Sequence, residues 1–305
     1  MSPKREKAMV PQAEFRSYYG KPILKPPAWK VPDVPGYLFL GGLAGASATM
    51  AAAATLTGRP ELAKIGHLAA AGGALGSVGA LVHDLGRPER FLNMLRVFKV
   101  TSPLSVGSWI LAPFSGLAVA AAGSQLTGIF PRLGALAGWG AGALGPAMCT
   151  YTAVLLADTA VPAWHEAHPY LPFVFAGSAM SSGAGMALVA APVASTRPVV
   201  RVGLLGAAME TAALTTVERS LGVVSEPYHS GRPGTLLKAA KVLTATGAGL
   251  SLFGRRSRVA AVAAGAAYLA AGICTRFGVY HAGVESTKDP KYVVTPQRER
   301  LAARH

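Results

Sequence analysis

Charged residues are scarce in this sequence, and acidic residues are the scarcer kind. Charged side chains make up 14% of the 305 residues, and the chain has 14 Asp and Glu against 29 Lys and Arg. A soluble domain usually carries about 25% charge, whereas 51% of this chain is hydrophobic. This composition excludes an ordinary soluble domain and predicts a protein of the lipid bilayer.

The net charge of +15 would indicate nucleic-acid binding in a soluble protein. Here the basic residues lie almost wholly outside the apolar runs, and that pattern is typical of the loops that orient a membrane protein. We therefore expect the chain to contact the lipid bilayer and no nucleic acid.

Cysteine is almost absent, and so are the usual catalytic motifs. The two cysteines, Cys149 and Cys274, lie inside apolar runs, and no CxxC pair occurs. We therefore expect no iron–sulfur cluster and no metal site in this chain. No P-loop, GxGxxG or HExxH motif lies in a suitable context. Haem is not expected, because its axial ligands are two histidines on facing helices and only His83 with His281 approaches that arrangement.

Long apolar runs are what the sequence has in abundance. Each run is about 20 residues long, which suffices to cross a bilayer, and in lipid a run must be helical to satisfy its own backbone. We therefore predict an all-α polytopic membrane protein with eight transmembrane helices. The predicted spans are about 36–57, 62–85, 104–123, 134–157, 171–193, 198–220, 235–254 and 257–279.

The spans are predicted to form two groups of four. The predicted segments are a polar basic N-terminal tail (1–34), a first four-helix bundle (35–160), a second four-helix bundle (161–280) and a basic C-terminal tail (281–305). FLGGLAGASATM (Phe39–Met50) is similar to FAGSAMSSGAGM (Phe175–Met186), with Phe, Gly and Met at matching offsets. Internal duplication explains this similarity, and chance similarity between Ala- and Gly-rich helices is the alternative.

The loops alternate between two faces of the membrane. We name the face that carries both termini and the loops after the second, fourth and sixth spans the terminal face. Most loop Lys and Arg residues lie on it, so the positive-inside rule predicts that both termini are cytoplasmic. The polar N-terminal segment does not resemble a cleaved signal peptide, and we expect a multi-pass protein of the bacterial plasma (inner) membrane.

A short amphipathic helix is predicted on the terminal face, directly after the second span. Phe91, Leu92, Leu95 and Phe98 share one side of this helix, and polar residues occupy the other. Such a segment is typical of a helix that lies on the membrane surface.

Ionisable groups at membrane depth are costly, so each is a functional hypothesis. His83 and Asp84 close the second span, and Arg87 follows at a spacing that allows an ion pair with Asp84. This group either fixes the loop or exchanges protons at the mouth of a quinone pocket. Glu210 lies near the centre of the sixth span, either protonated or paired with a group such as Lys241, and is either a proton-transfer group or a structural hydrogen-bonding partner.

The fourth span ends with a second group of candidates. Tyr151 and Asp158 are seven residues apart and share one side of a helix. A phenol hydroxyl and a carboxylate near an aromatic ring such as Trp164 suit a quinone, because they provide a donor to its carbonyl and a proton source. The alternative is that Tyr151 is a buried or interfacial tyrosine without a ligand.

Several motifs follow one another along residues 36–240. They are YLFLGGLAGAS in the first span, HDLGRPERF…TSPLSVGSW from the second to the third, YTAVLLADTAVPAW and LPFVFAGSAMSSG from the fourth to the fifth, and SEPYHSGRPG before the seventh. In this order they resemble the NrfD/polysulfide reductase (PsrC-like) family of integral membrane subunits, whose pattern includes DLGRP…F…SP…GSW.

The resemblance implies two four-helix bundles with a quinone (menaquinone or ubiquinone) site in the first, and no haem or cluster in this chain. It also implies a ferredoxin-like [4Fe–4S] subunit docked over the ends of the second and fourth spans, and usually a molybdopterin catalytic subunit beyond it. By position, Tyr151 matches the tyrosine that contacts quinone, and Asp84 falls near an acidic residue. Tyr37 departs from the pattern, because a relative has a histidine there, and a phenol titrates near pH ~10 rather than ~6.5.

We therefore expect a quinone-reactive membrane subunit of an iron–sulfur, molybdopterin oxidoreductase of the respiratory chain, in which Tyr37, Tyr151 and Trp164 hold quinone. His83, Asp84, Asp158 and Glu210 are then the proton-transfer groups. Two alternatives remain: a secondary transporter with Glu210 as its coupling carboxylate, and an anchor without a quinone site. Formate, sulfur compounds and nitrite are all open as the substrate of the catalytic partner.

Overall fold

The computed structural model describes residues 23–303, which form helices and connecting turns without a strand. The helices are α1 (Asp33–Leu56), α2 (Pro60–Leu85), α3 (Glu89–Met94), α4 (Pro103–Thr127), α5 (Pro131–Ala157), α6 (Pro162–Glu166), α7 (Leu171–Ala190), α8 (Thr196–Ser220), α9 (Glu226–His229), α10 (Gly231–Phe253), α11 (Arg258–Ser286) and α12 (Lys291–Ala302). Single turns of 3₁₀ helix precede α8 (Val193–Ser195) and α9 (Gly222–Ser225).

Eight of the helices in residues 23–303 are long and apolar enough to cross a membrane. They are α1, α2, α4, α5, α7, α8, α10 and α11, in the places where the apolar runs predict them. The prediction of an all-α membrane protein with eight spans is therefore confirmed. Proline begins α2, α4 and α5, where its missing N–H breaks no helical hydrogen bond.

The ends of the chain differ from the predicted boundaries. Helix α11 continues to Ser286, so the predicted border between the second bundle and the C-terminal tail, at 280/281, falls inside a helix. The last part of that tail forms α12. Of the predicted N-terminal tail, residues 1–22 lie outside the described residues.

Helix α1 lies at the centre and packs against α2, α5, α7 and α11. It approaches α5 closely at Gly45 and Gly145, where a Cβ on either glycine would lie 2.5 Å or less from the carbonyl oxygen of the other. Small residues allow such close approach between membrane helices. One core cluster extends from Val34 in α1 to Ala282 in α11, and the division into two four-helix bundles stays a prediction.

A short helix follows the second span as predicted, but α3 ends at Met94. Of the four residues predicted to share its apolar side, only Phe91 and Leu92 belong to it, because Leu95 caps the helix and Phe98 lies beyond it. Leu92 and Phe98, two of its predicted apolar residues, are exposed to the surroundings, and the Phe98 ring meets the edge of Trp109 at 5.9 Å. On the terminal face, α3 lies beside the ends of α2 and α4, and α6, α9 and α12 cover the neighbouring helix ends.

Candidate functional site

Two buried tyrosines meet between α1 and α5, near the terminal face. The hydroxyl groups of Tyr37 and Tyr151 form a hydrogen bond with each other, and their rings lie edge to face with centroids 6.5 Å apart. Both side chains are less than a tenth exposed. The structure therefore brings together two residues that the sequence analysis assigned to quinone separately, from two distant spans.

A small apolar cavity adjoins the tyrosine pair. Its volume is about 20 Å³, which suffices for one water molecule. Besides the tyrosines, it is bordered by residues of α2, α3, α4 and α5. They are Leu81, Met94, Pro103, Leu104, Gly107, Ser108, Leu111 and Leu155. The cavity thus connects the phenol groups to the short helix α3 on the terminal face.

Gly107 on α4 makes room for the Tyr151 ring. A Cβ at this position would lie 2.6 Å from Cε2 and 2.8 Å from Cδ2 of Tyr151, far inside van der Waals contact. Gly107 belongs to the SPLSVGSW motif. The glycine of this motif therefore allows α4 to pack directly against the Tyr151 ring.

We expect Gly107→Ala to push the Tyr151 ring away from Tyr37. Overpacking of this kind costs about 1–3 kcal/mol. The quinone site predicted from the sequence at this pair adds the expectation that quinone-linked turnover falls, because the hydroxyl moves. Gly116→Ala on the same helix is the matched control, since a Cβ there meets nothing within 4 Å. Thermal unfolding and quinone-linked turnover of both variants would check this, and equal behaviour of the two variants would contradict it.

His83 and Asp84 hold the segment that leads into α1. The Asp33 carboxylate accepts a hydrogen bond from His83 Nδ1 at 2.7 Å. The Lys30 main-chain N–H donates to Asp84 Oδ1 at 2.8 Å. Among residues 23–303 no ion pair joins Asp84 to Arg87, because α2 ends at Leu85 and the chain turns away at Gly86. His83 is mostly exposed, so this group lies at the surface of the terminal face.

Asp158 lies at the end of α5, two turns beyond Tyr151. It is exposed, and its main-chain N–H closes the helix by donating to Val154 O at 2.9 Å. Asp158 was predicted to end the fourth span on the terminal face, and it caps α5 there. A role in proton exchange stays a prediction.

Trp164 lies apart from the tyrosine pair and does not line its cavity. Its indole N–H donates to Val279 O at 2.8 Å, and its ring stacks on Trp29 at 5.6 Å and lies 5.7 Å from Tyr280. The ring borders a separate pocket beside the segment before α1. These contacts join α6, α11 and the N-terminal segment, so the geometry gives Trp164 a packing role.

Glu210 is buried inside the protein, 2% exposed. Its Oε1 accepts a hydrogen bond from the Thr275 hydroxyl at 2.6 Å, and its Oε2 has no partner among the described residues. The predicted pairing with Lys241 is wrong, because Lys241 pairs with Glu218, two turns further along α8. Glu218 lies closer to the membrane surface, where a charge pair costs less than at the centre.

Arg276 is a buried charge that the sequence analysis missed. It is 1% exposed, and its guanidinium donates to Leu38 O at 3.3 Å and to Phe175 O at 2.8 Å, while lying 3.7 Å above the Phe175 ring. It also interacts electrostatically with Glu210. The predicted eighth span ended at 279, which would put Arg276 in the last turn, but α11 continues to Ser286.

Arg276 therefore connects three spans close to the tyrosine pair. Leu38, whose carbonyl it contacts, directly follows Tyr37 on α1, and Phe175 lies on α7. A guanidinium has five donors in a rigid fork, and one of its amino groups, Nη1, lacks a partner in residues 23–303. The sequence signal that could have identified Arg276 is an arginine inside the apolar run of the eighth span.

Ion pairs attach α12 to the terminal face. Lys291 Nζ lies 2.5 Å from Glu226 Oε2, and the Tyr292 hydroxyl donates to the same oxygen at 3.0 Å. Arg300 pairs with Glu166 on α6. The hydrogen bonds from Lys291 and Tyr292 lower the pKa of the Glu226 carboxyl, and the hydrogen bond with Glu226 raises the pKa of Lys291.

We expect the attachment of α12 to weaken in acid. Because the pKa of Glu226 is lowered in the folded protein, its contribution is present above the usual glutamate pKa and is lost as the pH falls through the lowered value. The Lys291 contribution is lost only at high pH, when the raised pKa is passed. The Lys291 side chain is 34% exposed and the Glu226 side chain 50% exposed, so solvent screens the pair and the effect is small.

Hydrogen exchange of the α12 amides, expressed as protection factors, measures this attachment. Glu226→Gln should lower the protection factors of the α12 amides at neutral pH. Most of the further decrease in these factors at acidic pH should then be absent. Glu299→Gln, an exposed position on α12 itself, is the control and should resemble the unmodified chain. Unchanged protection in Glu226→Gln at neutral pH would show that the pair does not hold the helix.

Comparison with known proteins identifies a family. A family model described as polysulphide reductase, NrfD, matches residues 25–209, which is more than half of the chain. The matched region includes α1 to α7 and most of α8, with the tyrosine pair, Gly107 and the His83 group inside it. No curated protein matches the chain.

Proposed function

The chain belongs to the polysulphide reductase NrfD family, and from that premise we propose that it is the quinone-reactive membrane subunit of an iron–sulfur oxidoreductase. The family supports a membrane subunit of an oxidoreductase complex, and eight spans support its place in the membrane. The observation that carries the finer assignment is the pair of buried phenols, Tyr37 and Tyr151, at the terminal face.

The donor chemistry of this pair fits a quinone head group. Two phenol O–H groups can donate to carbonyl oxygens, and the apolar walls of the cavity suit the ring. The present cavity of about 20 Å³ holds no ring, so binding needs the tyrosine hydroxyls to separate and the neighbouring Met94 and Leu104 to move aside. The hydrogen bond between the tyrosines then exchanges for bonds to the ligand.

Reduction of a quinone to the quinol takes up two electrons and two protons, and the reverse reaction releases them. This chain has no cluster motif, so we assign the electrons to a [4Fe–4S] subunit on the terminal face. Buried phenols at Tyr37 and Tyr151 orient the carbonyl oxygens, and the surface groups His83, Asp84 and Asp158 exchange protons with water. Proton transfer by Glu210 remains part of this proposal, because a buried carboxylate oxygen, Oε2, has no hydrogen-bond partner in residues 23–303 and can take up a proton.

The terminal face supplies the surface for the partner subunits. Helices α3, α6, α9 and α12 lie there beside the ends of α2 and α5, and its loops carry most of the basic residues. We assign to this face a ferredoxin-like [4Fe–4S] subunit, with a molybdopterin catalytic subunit beyond it.

Purification of the tagged chain from its own membranes in mild detergent tests this assignment. We expect an iron–sulfur protein to co-purify, with cluster signals in electron paramagnetic resonance and electron transfer to an added quinone. A chain that isolates alone from membranes in which it is abundant would contradict the assignment, and solute transport by that isolated chain would favour a transporter instead.

We expect both termini to be cytoplasmic, because the terminal face is the more basic one. A C-terminal fusion to a reporter that is active only in the cytoplasm should therefore be active, and a fusion after Phe253, on the opposite face, should be silent. The reverse pattern would place the termini and the partner subunits outside the cytoplasm.

A further inference from the structure

A second, larger cavity lies at the opposite face of the membrane, between α1, α2, α7 and α8. Its volume is about 180 Å³, and no residue of the tyrosine cavity lines it. We name it the repeat groove. Its lining is apolar except for Ser47 at its inner end and Thr57 and Arg59 at its mouth.

The repeat groove is formed by matching positions of the two halves. Its lining includes four pairs of residues that are as far apart in the chain as Phe39 and Phe175, the first residues of the two similar stretches. The pairs are Ser47 with Gly183, Met50 with Met186, Leu62 with Pro198, and Gly66 with Val202. This correspondence favours internal duplication over chance similarity, and it places the groove where the two halves meet.

The length of the repeat groove matches one leaflet of a bilayer. From Ser47 to Thr57 a helix rises about 15 Å at ~1.5 Å per residue, which is half of the ~30 Å thickness of the hydrocarbon core. The groove thus runs from near the membrane centre to the surface of the opposite face. An acyl chain of a lipid in that leaflet has the direction and the apolar character that this space requires.

The charge at the mouth of the groove selects the head group. Arg59 is exposed and forms no ion pair among residues 23–303. The first two turns of α2 and α8 carry three further exposed basic residues, Lys64, Arg197 and Arg201. The one acidic residue there, Glu61, accepts a hydrogen bond from the Ser195 hydroxyl at 3.3 Å. A negatively charged phosphate is therefore favoured at this mouth.

We propose that the repeat groove binds one anionic phospholipid, with an acyl chain between the two halves and its phosphate at Arg59. This site lies outside the proposed quinone chemistry and does not depend on it. The acyl chain fills the apolar space between the halves, and the phosphate forms an ion pair with Arg59.

Lipid analysis of the protein purified from its own membranes, together with any subunits that accompany it, tests the proposal. This preparation is exchanged into detergent, loaded from vesicles of phosphatidylglycerol and phosphatidylcholine, washed, and its lipids are counted per chain. We expect about one retained phosphatidylglycerol, and Arg59→Gln should lower its retention about fivefold. Arg132→Gln, an exposed arginine on the same face but outside the groove, is the matched control and should retain the lipid.

Two further variants distinguish the occupants. Ala69→Phe narrows the groove and should also lower retention, while Ser47→Ala should leave it unchanged, because an acyl end needs no hydrogen bond. Full retention in Arg59→Gln would overturn the proposal. Loss of lipid retention in Ser47→Ala would also overturn the proposal. The same holds for a quinone that co-purifies with the protein and is lost in Ala69→Phe, because either result would indicate a polar ring at the inner end of the groove.

Discussion

Tyr151→Phe is expected to lower quinone-linked turnover about 10- to 100-fold while leaving dye-linked turnover of the partner subunits intact. The variant removes one phenol donor and keeps the ring. A hydrogen bond to a group that gains negative charge contributes about 1.5–3 kcal/mol, which corresponds to this range of rates. Dye reduction bypasses the membrane subunit, so it reports assembly and the catalytic partner alone.

Tyr268→Phe is the control for this experiment. Tyr268 is fully buried, and its hydroxyl has no hydrogen-bond partner in the described part of the chain, so removal of the oxygen should change neither activity. Tyr37→Phe should behave like Tyr151→Phe, because each hydroxyl supports the other. Equal loss of quinone-linked and dye-linked turnover in Tyr151→Phe, with normal assembly, would remove the tyrosine pair from the quinone site.

Arg276→Met is expected to destabilise the chain by about 3–6 kcal/mol, because it removes two buried hydrogen bonds from a charged donor, each of which contributes about 1.5–3 kcal/mol. The variant removes the hydrogen bonds to Leu38 O and Phe175 O and leaves Glu210 without its nearby cation. Thermal unfolding in detergent, followed by size-exclusion chromatography, would measure the loss. Arg276→Lys should be intermediate, because lysine keeps the charge but lacks the fork of donors.

A double-mutant cycle tests whether Arg276 and Glu210 act together. If they do, Arg276→Met combined with Glu210→Gln is destabilised by less than the sum of the two single variants, with a difference of about 0.5–3 kcal/mol. Arg132→Met, at an exposed arginine, controls for the loss of a positive charge. Strict additivity would show that Arg276 only joins the helices and has no coupling to the buried carboxylate.

The positions of the eight spans could be predicted from the sequence, and so could a short helix after the second span, although not its end at Met94. Length and hydropathy are local properties: a run of about 20 apolar residues must be a helix in lipid, whatever its neighbours. The family was also visible in the order of short motifs, and the match over residues 25–209 confirms it.

The contacts between spans could not be predicted in the same way. In a soluble helix the apolar side indicates the core, but α1, α2, α4, α7 and α10 differ little in hydrophobicity from one side to the other. Helix α8, which has a distinctly polar side, is an exception. The sequence analysis therefore placed Trp164 near Tyr151, whereas Trp164 packs on Trp29. It also named Lys241 as an ion-pair partner for Glu210, whereas Lys241 pairs with Glu218.

Taken alone, the sequence determined that this chain crosses the membrane eight times and which family it belongs to, because both depend on residues near one another in the chain. Only the tertiary structure decided that Tyr37 meets Tyr151 and that Arg276 reaches α1 and α7. The physical reason is that close crossings at small residues, such as Gly45 with Gly145, set which sides of the helices face each other.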